Sequence, residues 1–340
     1  MSGTGKVLEI ETSPHLVSGS SVDIIMRNVV YALLPTAIFA IYLFGLGALL
    51  VLLTAVISCV LSEHLLCRAS GRRSTIGDWS ALITGLLYGL TLPPGLALWM
   101  VACGGMIAVA LGKFLFGGLG YNAFNPALVG RAFLQAAFPG AMTTWSAALQ
   151  PDRFIQIPAS TLAFPFARPQ YEGITSATPL AQMKFEQLST GSSDLLLGFS
   201  SGSTGETSAL LILLGGAWLV ARNMMNWRIP VAIFATVAVL SFSFHSLDPE
   251  RYAGPVFMLL SGGLMLGAVF MATDMVASPI TAAGAVAYGV LIGLLVVVIR
   301  YWGGMPEGVM YALLLANACS PHISAMFQPR VFGTRARGAR

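Results

Sequence analysis

Residues 29–61 form a run of 33 amino acids without a charged side chain. A helix needs about 20 apolar residues to cross the ~30 Å hydrocarbon core of a bilayer, so this run is too long for one span. Gly45-Leu46-Gly47 divides it into two spans of near-minimal length. Charged residues make up 9% of the chain and hydrophobic residues 56%, whereas soluble domains carry about 25% charged residues. The chain is therefore predicted to be an all-α polytopic membrane protein.

Apolar segments recur along the rest of the chain and predict eight further membrane segments. Three precede a long polar insert and five follow it. They cover residues 80–92, 96–115, 127–138, 208–222, 229–244, 256–273, 282–300 and 308–319. The prediction is ten segments in two sets of five.

The two sets share an order of features. In the first set, Ile83-Thr84-Gly85 leads to Leu92-Pro93-Pro94-Gly95, and in the second, Leu260-Ser261-Gly262-Gly263 leads to Ser278-Pro279. Five is an odd number of segments, so a second copy of the set must enter the membrane from the opposite side. We predict two inverted five-helix repeats with a polar external insert. Chance similarity between glycine-rich spans is the alternative.

The positions of Lys and Arg predict the orientation. With a cytoplasmic N-terminus, twelve of the 18 cations fall on the cytoplasmic side, five fall outside and Arg131 lies within a segment. This excess places both termini in the cytoplasm and the insert outside. The predicted divisions are a cytoplasmic tail 1–26, a first repeat 27–138, an external insert 139–206, a second repeat 207–320 and a basic cytoplasmic tail 321–340.

The composition argues against several classes of site. Cys59, Cys67, Cys103 and Cys319 lie in or at the ends of apolar segments without C-x-x-C spacing. An iron–sulfur cluster or zinc site built by this chain alone is not expected, and no metal site is predicted. The net charge of +4 comes without a basic stripe interleaved with aromatic residues, so nucleic acid is not a predicted partner. The predicted partner of the apolar surface is the lipid bilayer.

Broken segments at corresponding positions in both sets predict a binding site between them. Backbone that is not helical within a membrane must be buried in protein or line a cavity. The candidate lining residues are Asn122, Asn125, Arg131 and Asp274. Asn amides can donate to and accept from the edge of a flat heterocycle. An intramembrane Asp or Arg marks a functional site unless it reaches the interface or pairs with another charge, and both alternatives stay open here.

Two other motifs have simpler interpretations. Residues 203–206, Ser-Thr-Gly-Glu, have capping-box spacing at a predicted helix start. Backbone N–H groups there could also bind phosphate, but capping alone explains the spacing. Residues 13–15 and 320–322 both read Ser-Pro-His just outside the first and last segments. A histidine there could act in proton or flavin chemistry, but an exposed histidine in a tail is the simpler interpretation.

The insert contains a turn-rich stretch at residues 171–181, Tyr-Glu-Gly-Ile-Thr-Ser-Ala-Thr-Pro-Leu-Ala. Within it, Thr178 offers a hydroxyl, and Ser176 and Ala177 are small enough to let a modifying enzyme approach. Pro179 is expected to hold Thr178 extended and to keep its hydroxyl clear of a helix. Taken alone, Ser/Thr-x-Ala-Thr occurs often by chance, and a surface turn is the alternative.

This stretch resembles the flavinylation motif of the RnfD/NqrB family of membrane subunits. The family pattern is an acid, two residues, Ser or Thr, usually Gly, then Ala-Thr, which corresponds to Glu172, Thr175, Ala177 and Thr178. The sequence departs from it at Glu172, where Asp is usual, and at Ser176, where Gly is usual. The resemblance covers essentially the whole chain and includes residues 13–15, 122–126, 205–208, 273–274 and 278–279.

The resemblance implies a urea-channel-like fold with FMN joined to Thr178 by a phosphoester on the outer side, beside Thr175, Ser176 and Ala177. It allows a second, non-covalent riboflavin within the membrane. It further implies a component of an ion-translocating ferredoxin:NAD oxidoreductase of the bacterial inner membrane. The implied partners are the other Rnf subunits, RnfA, RnfB, RnfC, RnfE and RnfG, especially the flavoprotein RnfG, and a flavin transferase. No complete active site is expected in this chain alone, because the cofactors would carry the electrons.

A phosphate on Thr178 would bring up to two negative charges, and Arg168 or Lys184 could offset part of them. A channel or solute transporter with the same architecture is the competing interpretation, since fold does not decide function. A plain channel has no need of a polar insert of 68 residues with a flavin motif. A scaffold for other redox subunits is a third possibility and would predict no bound flavin.

Overall fold

The structure, a computed structural model, describes residues 21–72, 75–165, 177–188, 190–206 and 208–328. Regular secondary structure in these ranges is helical. The helices before the insert are α1 Val22–Phe44, α2 Leu46–Ala69, a 3₁₀ turn Ile76–Asp78, α3 Ser80–Leu90, α4 Leu98–Val109 with a π-helical continuation Ala110–Phe114, and α5 Pro126–Ala137. The insert contains α6 Pro139–Met142, α7 Pro179–Ala181 with a π-helical continuation Gln182–Glu186, and α8 Ser192–Leu197. The second half contains α9 Ala209–Ala221, α10 Arg228–Leu247, α11 Pro255–Leu260, α12 Leu264–Leu266 with a π-helical continuation Gly267–Met271, α13 Ala282–Trp302 and α14 Val309–Met326.

The prediction of an all-α polytopic membrane protein is confirmed. Among the described residues, five helices are long and apolar enough to cross a membrane, namely α1, α2, α10, α13 and α14. Shorter helices lie at the other five predicted positions, which are those of α3, α4, α5, α9 and the α11–α12 pair. The count of ten spans and their inverted repeat remain predictions.

Gly45 separates α1 from α2, as the sequence predicts. Its φ is +69°, a left-handed value that favours glycine. A Cβ at this position would lie 1.9 Å from the carbonyl oxygen of Arg153, and that same oxygen accepts a hydrogen bond from the N–H of Leu46 at 2.9 Å. The insert therefore docks on the α1–α2 turn through backbone contacts that only glycine permits.

Each half contains a broken segment near its centre. In the first half, α3 ends at Leu90 and α4 begins only at Leu98, after the two prolines. In the second half, α11 ends at Leu260, and Gly262 turns the chain with φ +67° before α12. These breaks bring backbone groups of both halves to the interior, where they must find partners in the protein.

The helices of the two halves pack in a similar order. Helix α2 packs on α3 and α4, and α4 on α5; helix α10 packs on α11 and α13, and α13 on α14. Helices α1 and α9 contact each other between the halves. Glycines allow close approach: a Cβ at Gly85 would lie 2.6 Å from Cα of Val56, and one at Gly289 would lie 2.7 Å from Cβ of Ala232. Small residues at such contacts are the usual basis of helix association in membranes.

Two local predictions are wrong. Helix α14 continues through Pro321 to Met326, so His322 lies within the last helix and not beyond it. The N-cap of α9 is Ser208, whose hydroxyl accepts from the N–H of Leu211 at 3.3 Å, so Ser203 is not the helix cap. The polar insert also contains three short helices, α6, α7 and α8. Residues 13–15 lie outside the described residues.

Candidate functional site

Thr178 is the N-cap of α7. Its φ of −69° and ψ of 153° are extended, as expected for a residue before proline. Its Oγ1 accepts a hydrogen bond from the N–H of Ala181 at 3.2 Å. The prediction that the hydroxyl stays clear of a helix is therefore wrong, because Pro179 at the first helical position makes Thr178 a cap. Capping uses a lone pair of the oxygen and leaves the hydroxyl proton available.

Of the other residues in the motif, Ala177 is half-buried beside Thr178. Glu172, Thr175 and Ser176 lie outside the described residues, as does Arg168. Pro179 is buried. The described end of the motif is thus anchored against the protein.

Thr178 lines a cavity of about 80 Å³, called here the outer cavity. Its wall combines the insert, α5 and the loop before α14. Polar or charged lining residues are Arg131, Gln135, Thr143, Ser200, Ser201, Glu206 and Glu307. Trp145 and Tyr311 add aromatic surface. The cavity can hold a small polar group in contact with a cation.

Arg131 and Glu206 form the ion pair of this cavity. Arg131 Nη1 lies 3.7 Å from Glu206 Oε1, with the side chains 10% and 9% exposed. That separation is beyond hydrogen-bond length. Arg131 Nε and Glu206 Oε1 are both buried and have no hydrogen-bond partner among the described residues. Both groups therefore keep unmet hydrogen-bonding capacity at the cavity.

Glu307 and Arg300 form a second ion pair beside the first, with Nη2 to Oε1 at 3.5 Å. Arg300 also donates to the carbonyls of Met258 at 2.5 Å and Ser261 at 2.9 Å. Burial raises the pKa of the Glu206 carboxyl, the nearby Glu307 carboxylate raises it further, and Arg131 opposes the rise. The negative charge of Glu206 is therefore poorly stabilised at this cavity.

Lys184 is predicted from the sequence to offset phosphate charge, but its ammonium points elsewhere. It donates to the carbonyls of Arg300 at 2.9 Å, Gly303 at 2.5 Å and Met305 at 3.1 Å. Carbonyls at a helix C-terminus lack partners within the helix, and a cation there satisfies them. Burial lowers the pKa of Lys184. Lys184 fixes the α7 segment to the end of α13, and Arg131 is the cation that shares the cavity with Thr178.

A second cavity of about 110 Å³, called here the inner cavity, is lined by Asn122, Asn125 and Asp274. Asn122 Nδ2 lies 3.4 Å from Asp274 Oδ2, and Asn125 Nδ2 lies 3.5 Å from the carbonyl of Met271. Asn125 Oδ1 also accepts from the N–H of Ala127 at 3.0 Å and so caps α5. The structure brings these three predicted residues together, the two asparagines from the chain that leads into α5 and Asp274 from the turn after Met271.

Arg131 does not join the inner cavity, which corrects the prediction of one shared lining. It lies between one and two turns beyond Asn125 on α5, and this rise along the helix carries its side chain to the outer cavity. The four candidate residues therefore belong to two sites on the same helix.

Sequence reasoning missed a buried ion pair at the edge of the inner cavity. Lys113 Nζ lies 2.6 Å from Glu63 Oε1 and 2.5 Å from Ser80 Oγ. Thr75 donates to the same Glu63 oxygen. Lys113 lines the inner cavity, although its place at the end of an apolar segment suggested a cytoplasmic charge. The presence of Glu63 two residues after an apolar run was the available signal.

Known proteins are similar to this chain over nearly its whole length. A model of the NQR2, RnfD, RnfE family matches residues 9–333. The D subunit of the proton-translocating ferredoxin:NAD(+) oxidoreductase complex of Clostridium ljungdahlii is 40% identical over 329 residues, which cover 97% of each chain. The D subunit of the ion-translocating oxidoreductase complex of Stutzerimonas stutzeri is 42% identical over 333 residues, 94% of each chain. The D subunit of the Na(+)-translocating ferredoxin:NAD(+) oxidoreductase complex of Acetobacterium woodii is 38% identical over 326 residues, 96% of this chain and 95% of the relative.

Proposed function

The chain belongs to the NQR2, RnfD, RnfE family, and we propose that it is the electron-transferring membrane subunit of an ion-translocating ferredoxin:NAD oxidoreductase complex. The family resemblance predicted from the motifs is thereby confirmed. The observation that carries the proposal beyond family membership is the outer cavity, where the Thr178 hydroxyl and a buried guanidinium with an unmet donor share one wall. The expected location is the bacterial inner membrane.

We propose that Thr178 carries FMN through a phosphoester. The donor set fits the phosphate end of this cofactor, since Arg131 Nε is buried without a partner among the described residues and guanidinium groups suit phosphate oxygens. Cavities for drug-sized ligands measure roughly 300–1,000 Å³, whereas this one measures about 80 Å³. It suits the phosphate alone, so the ring system would lie outside it.

The residues of the chain would hold and orient the flavin, which supplies one- and two-electron transfer when bound. Thr178 offers the attachment oxygen, and Arg131 offsets phosphate charge. Lys184 and the docked α7 keep the attachment point fixed relative to α13. The partners proposed with this role are RnfA, RnfB, RnfC, RnfE and RnfG, especially the flavoprotein RnfG, and a flavin transferase that modifies Thr178. In-gel fluorescence of the denatured, purified chain tests whether a flavin is covalently attached.

We propose that the inner cavity contacts one edge of a non-covalent flavin, with riboflavin as the candidate, or forms part of an ion path. At about 110 Å³ it is too small to enclose a whole flavin. Asn125→Asp is designed to keep the α5 cap, since Asp caps helices as well as Asn, while removing the amide donor. Asp274→Asn removes the charge at constant shape. We expect each variant to bind the non-covalent flavin about tenfold more weakly, in line with about 1.5 kcal/mol for one hydrogen bond, and so to retain less of it on purification.

The measurement is extractable flavin per mole of chain, with the cation dependence of electron transfer in the assembled complex as a second readout. Asp194→Asn, at an exposed position of the insert, is the matched control. If both cavity variants match this control in both readouts, the residues are structural only.

We propose that the ten helical positions form two inverted repeats with both termini in the cytoplasm. The excess of cytoplasmic cations supports this orientation. Lys113 and Arg300 are buried in ion pairs and no longer count as loop charges, which removes one cation from each side. The excess is then eleven cytoplasmic cations to four external ones.

Topology can be tested by labelling single cysteines in a chain without native cysteines. Gln156 and Ser70 are both exposed, the first in the insert and the second after α2. A membrane-impermeant thiol reagent is expected to label Gln156→Cys in intact cells and Ser70→Cys only after the membrane is opened. The reverse pattern would overturn the orientation.

A further inference from the structure

Glu206 sits in a loop that is held rigidly against the end of α3. The N–H of Thr204 donates to the Leu92 carbonyl at 3.1 Å, and the N–H of Gly205 donates to the Leu90 carbonyl at 2.6 Å. A Cβ at Gly205 would lie 2.7 Å from Cβ of Leu90, so only glycine allows this approach. The loop backbone is fixed, and the Glu206 side chain remains at the wall of the outer cavity.

The two carboxylates of the outer cavity are stabilised very differently. Glu307 accepts hydrogen bonds from the N–H groups of Gly263 at 3.0 Å and Gly308 at 3.1 Å. Among the described residues, Glu206 accepts from Ser203, whose N–H lies at the long distance of 3.5 Å, and its Oε1 has no hydrogen-bond partner. Backbone N–H groups stabilise an ionised carboxylate. Glu307 is therefore the structural carboxylate, and Glu206 is the one that can accept a proton.

Arg131 balances Glu206 only loosely. At 3.7 Å the pair makes no direct hydrogen bond. Thr178 lies in the wall of the same cavity, and the exposed side chains of Thr143 and Met305 mark where the cavity meets the surface. The flavin ring system would lie outside the cavity, but negative charge added to it would still attract Arg131 across this poorly solvated wall and make the ionised form of Glu206 more costly.

We propose that Glu206 is a proton acceptor that takes up one proton when negative charge is added to the group carried by Thr178. The inference rests on the flavin proposed above. One electron reaches that group from a reduced cofactor of a neighbouring protein in the complex, and one proton enters at the cavity rim and bonds to Glu206 Oε1. Reoxidation sends the electron to the next carrier and releases the proton. Among the described residues, the charged groups facing Glu206 are Arg131 and Glu307, with Arg300 behind Glu307.

Infrared difference spectroscopy on the purified, flavin-bearing full chain tests the proposal. The flavin is reduced at an electrode in H₂O and in D₂O. Reduction is expected to produce a carboxylic acid carbonyl band that shifts in D₂O and disappears in Glu206→Gln. Glu186→Gln, at an exposed residue of the same insert, is the control and is expected to keep the band. No such band in a reduced wild-type chain, or a band that persists in Glu206→Gln, would overturn the inference.

Peptide mass spectrometry of the same samples separates this inference from the flavin proposal. If Thr178 carries no flavin, the flavin proposal fails, and the Glu206 carboxyl is then followed by pH titration of the infrared spectrum. Glu206 is expected to lose its proton at a higher pH than an ordinary glutamate, because burial raises the pKa of its carboxyl. Loss within the usual range of a glutamate would overturn the assignment of Glu206 as the proton acceptor. A melting temperature for Glu206→Gln close to that of wild type confirms that the variant is folded.

Discussion

Lys113→Met is expected to lower the free energy of unfolding by about 3–5 kcal/mol, because it leaves a buried carboxylate without its counter-charge. The side chains of Lys113 and Glu63 are only 4% and 3% exposed, and their charged atoms lie 2.6 Å apart. Glu63 Oε2 has no hydrogen-bond partner among the described residues. The Glu63 carboxylate depends on Lys113 for most of the stabilisation of its charge. Methionine fills a similar volume but carries no charge, so it cannot replace Lys113.

Two further variants serve as controls for Lys113→Met, one at a surface cation and one that replaces both partners of the ion pair. Arg27 is exposed on α1, and Arg27→Met is expected to change stability little. The double variant Glu63→Leu with Lys113→Met is expected to regain most of the loss, since replacing both partners of a buried pair by apolar groups is often neutral. Denaturant unfolding of the detergent-solubilised chain gives these differences. A loss for Lys113→Met no larger than for Arg27→Met would contradict the account.

Features set by neighbouring residues could be predicted from the sequence. The break at Gly45 follows from a glycine pair in a run too long for one span. The start of α5 follows from Asn125 before Pro126, which combine a capping side chain with a residue suited to the first helical turn. The extended backbone of Thr178 follows from Pro179. In each case the deciding interaction lies within a few residues.

Features set by distant contacts could not be predicted. Arg131 and Glu206 meet only because α5 and the loop before α9 pack at one wall. In the sequence, Glu206 has the spacing of a capping box and no visible link to an arginine in another segment. Glu63 and Lys113 are likewise 50 positions apart. Charge pairing between segments has no local pattern, and this is why Lys113 looked like a cytoplasmic charge.

Thr178→Ala is expected to abolish covalent flavin completely while the chain still folds and inserts. The substitution removes the attachment oxygen, so the loss is all-or-none. It also removes the cap on α7, where Oγ1 accepts from the N–H of Ala181, at a cost of about 1 kcal/mol. That cost is small against a typical folding free energy of about 5–15 kcal/mol. The variant should therefore be recovered from membranes in normal amount.

Two further variants, Thr178→Ser and Thr143→Ala, distinguish the loss of the attachment oxygen from a change in the shape of the cavity. Serine keeps both the hydroxyl and the cap, and some flavin attachment is expected to remain. Thr143 lines the same cavity and bonds to the carbonyl of Pro139 at 3.0 Å, so its alanine variant is expected to keep full attachment. Loss of flavin in Thr143→Ala as large as in Thr178→Ala would indicate that the cavity, and not the Thr178 oxygen, determines attachment.

The most direct test is mass spectrometry of the peptide spanning residues 168–184 from the wild type, Thr178→Ser and Thr178→Ala chains, each co-expressed with a flavin transferase. We expect an FMN adduct on Thr178 in the wild type, with fragment ions that exclude Thr175 and Ser176, and none in the alanine variant. An adduct that persists in Thr178→Ala, or a wild-type peptide that carries no FMN, would contradict this expectation.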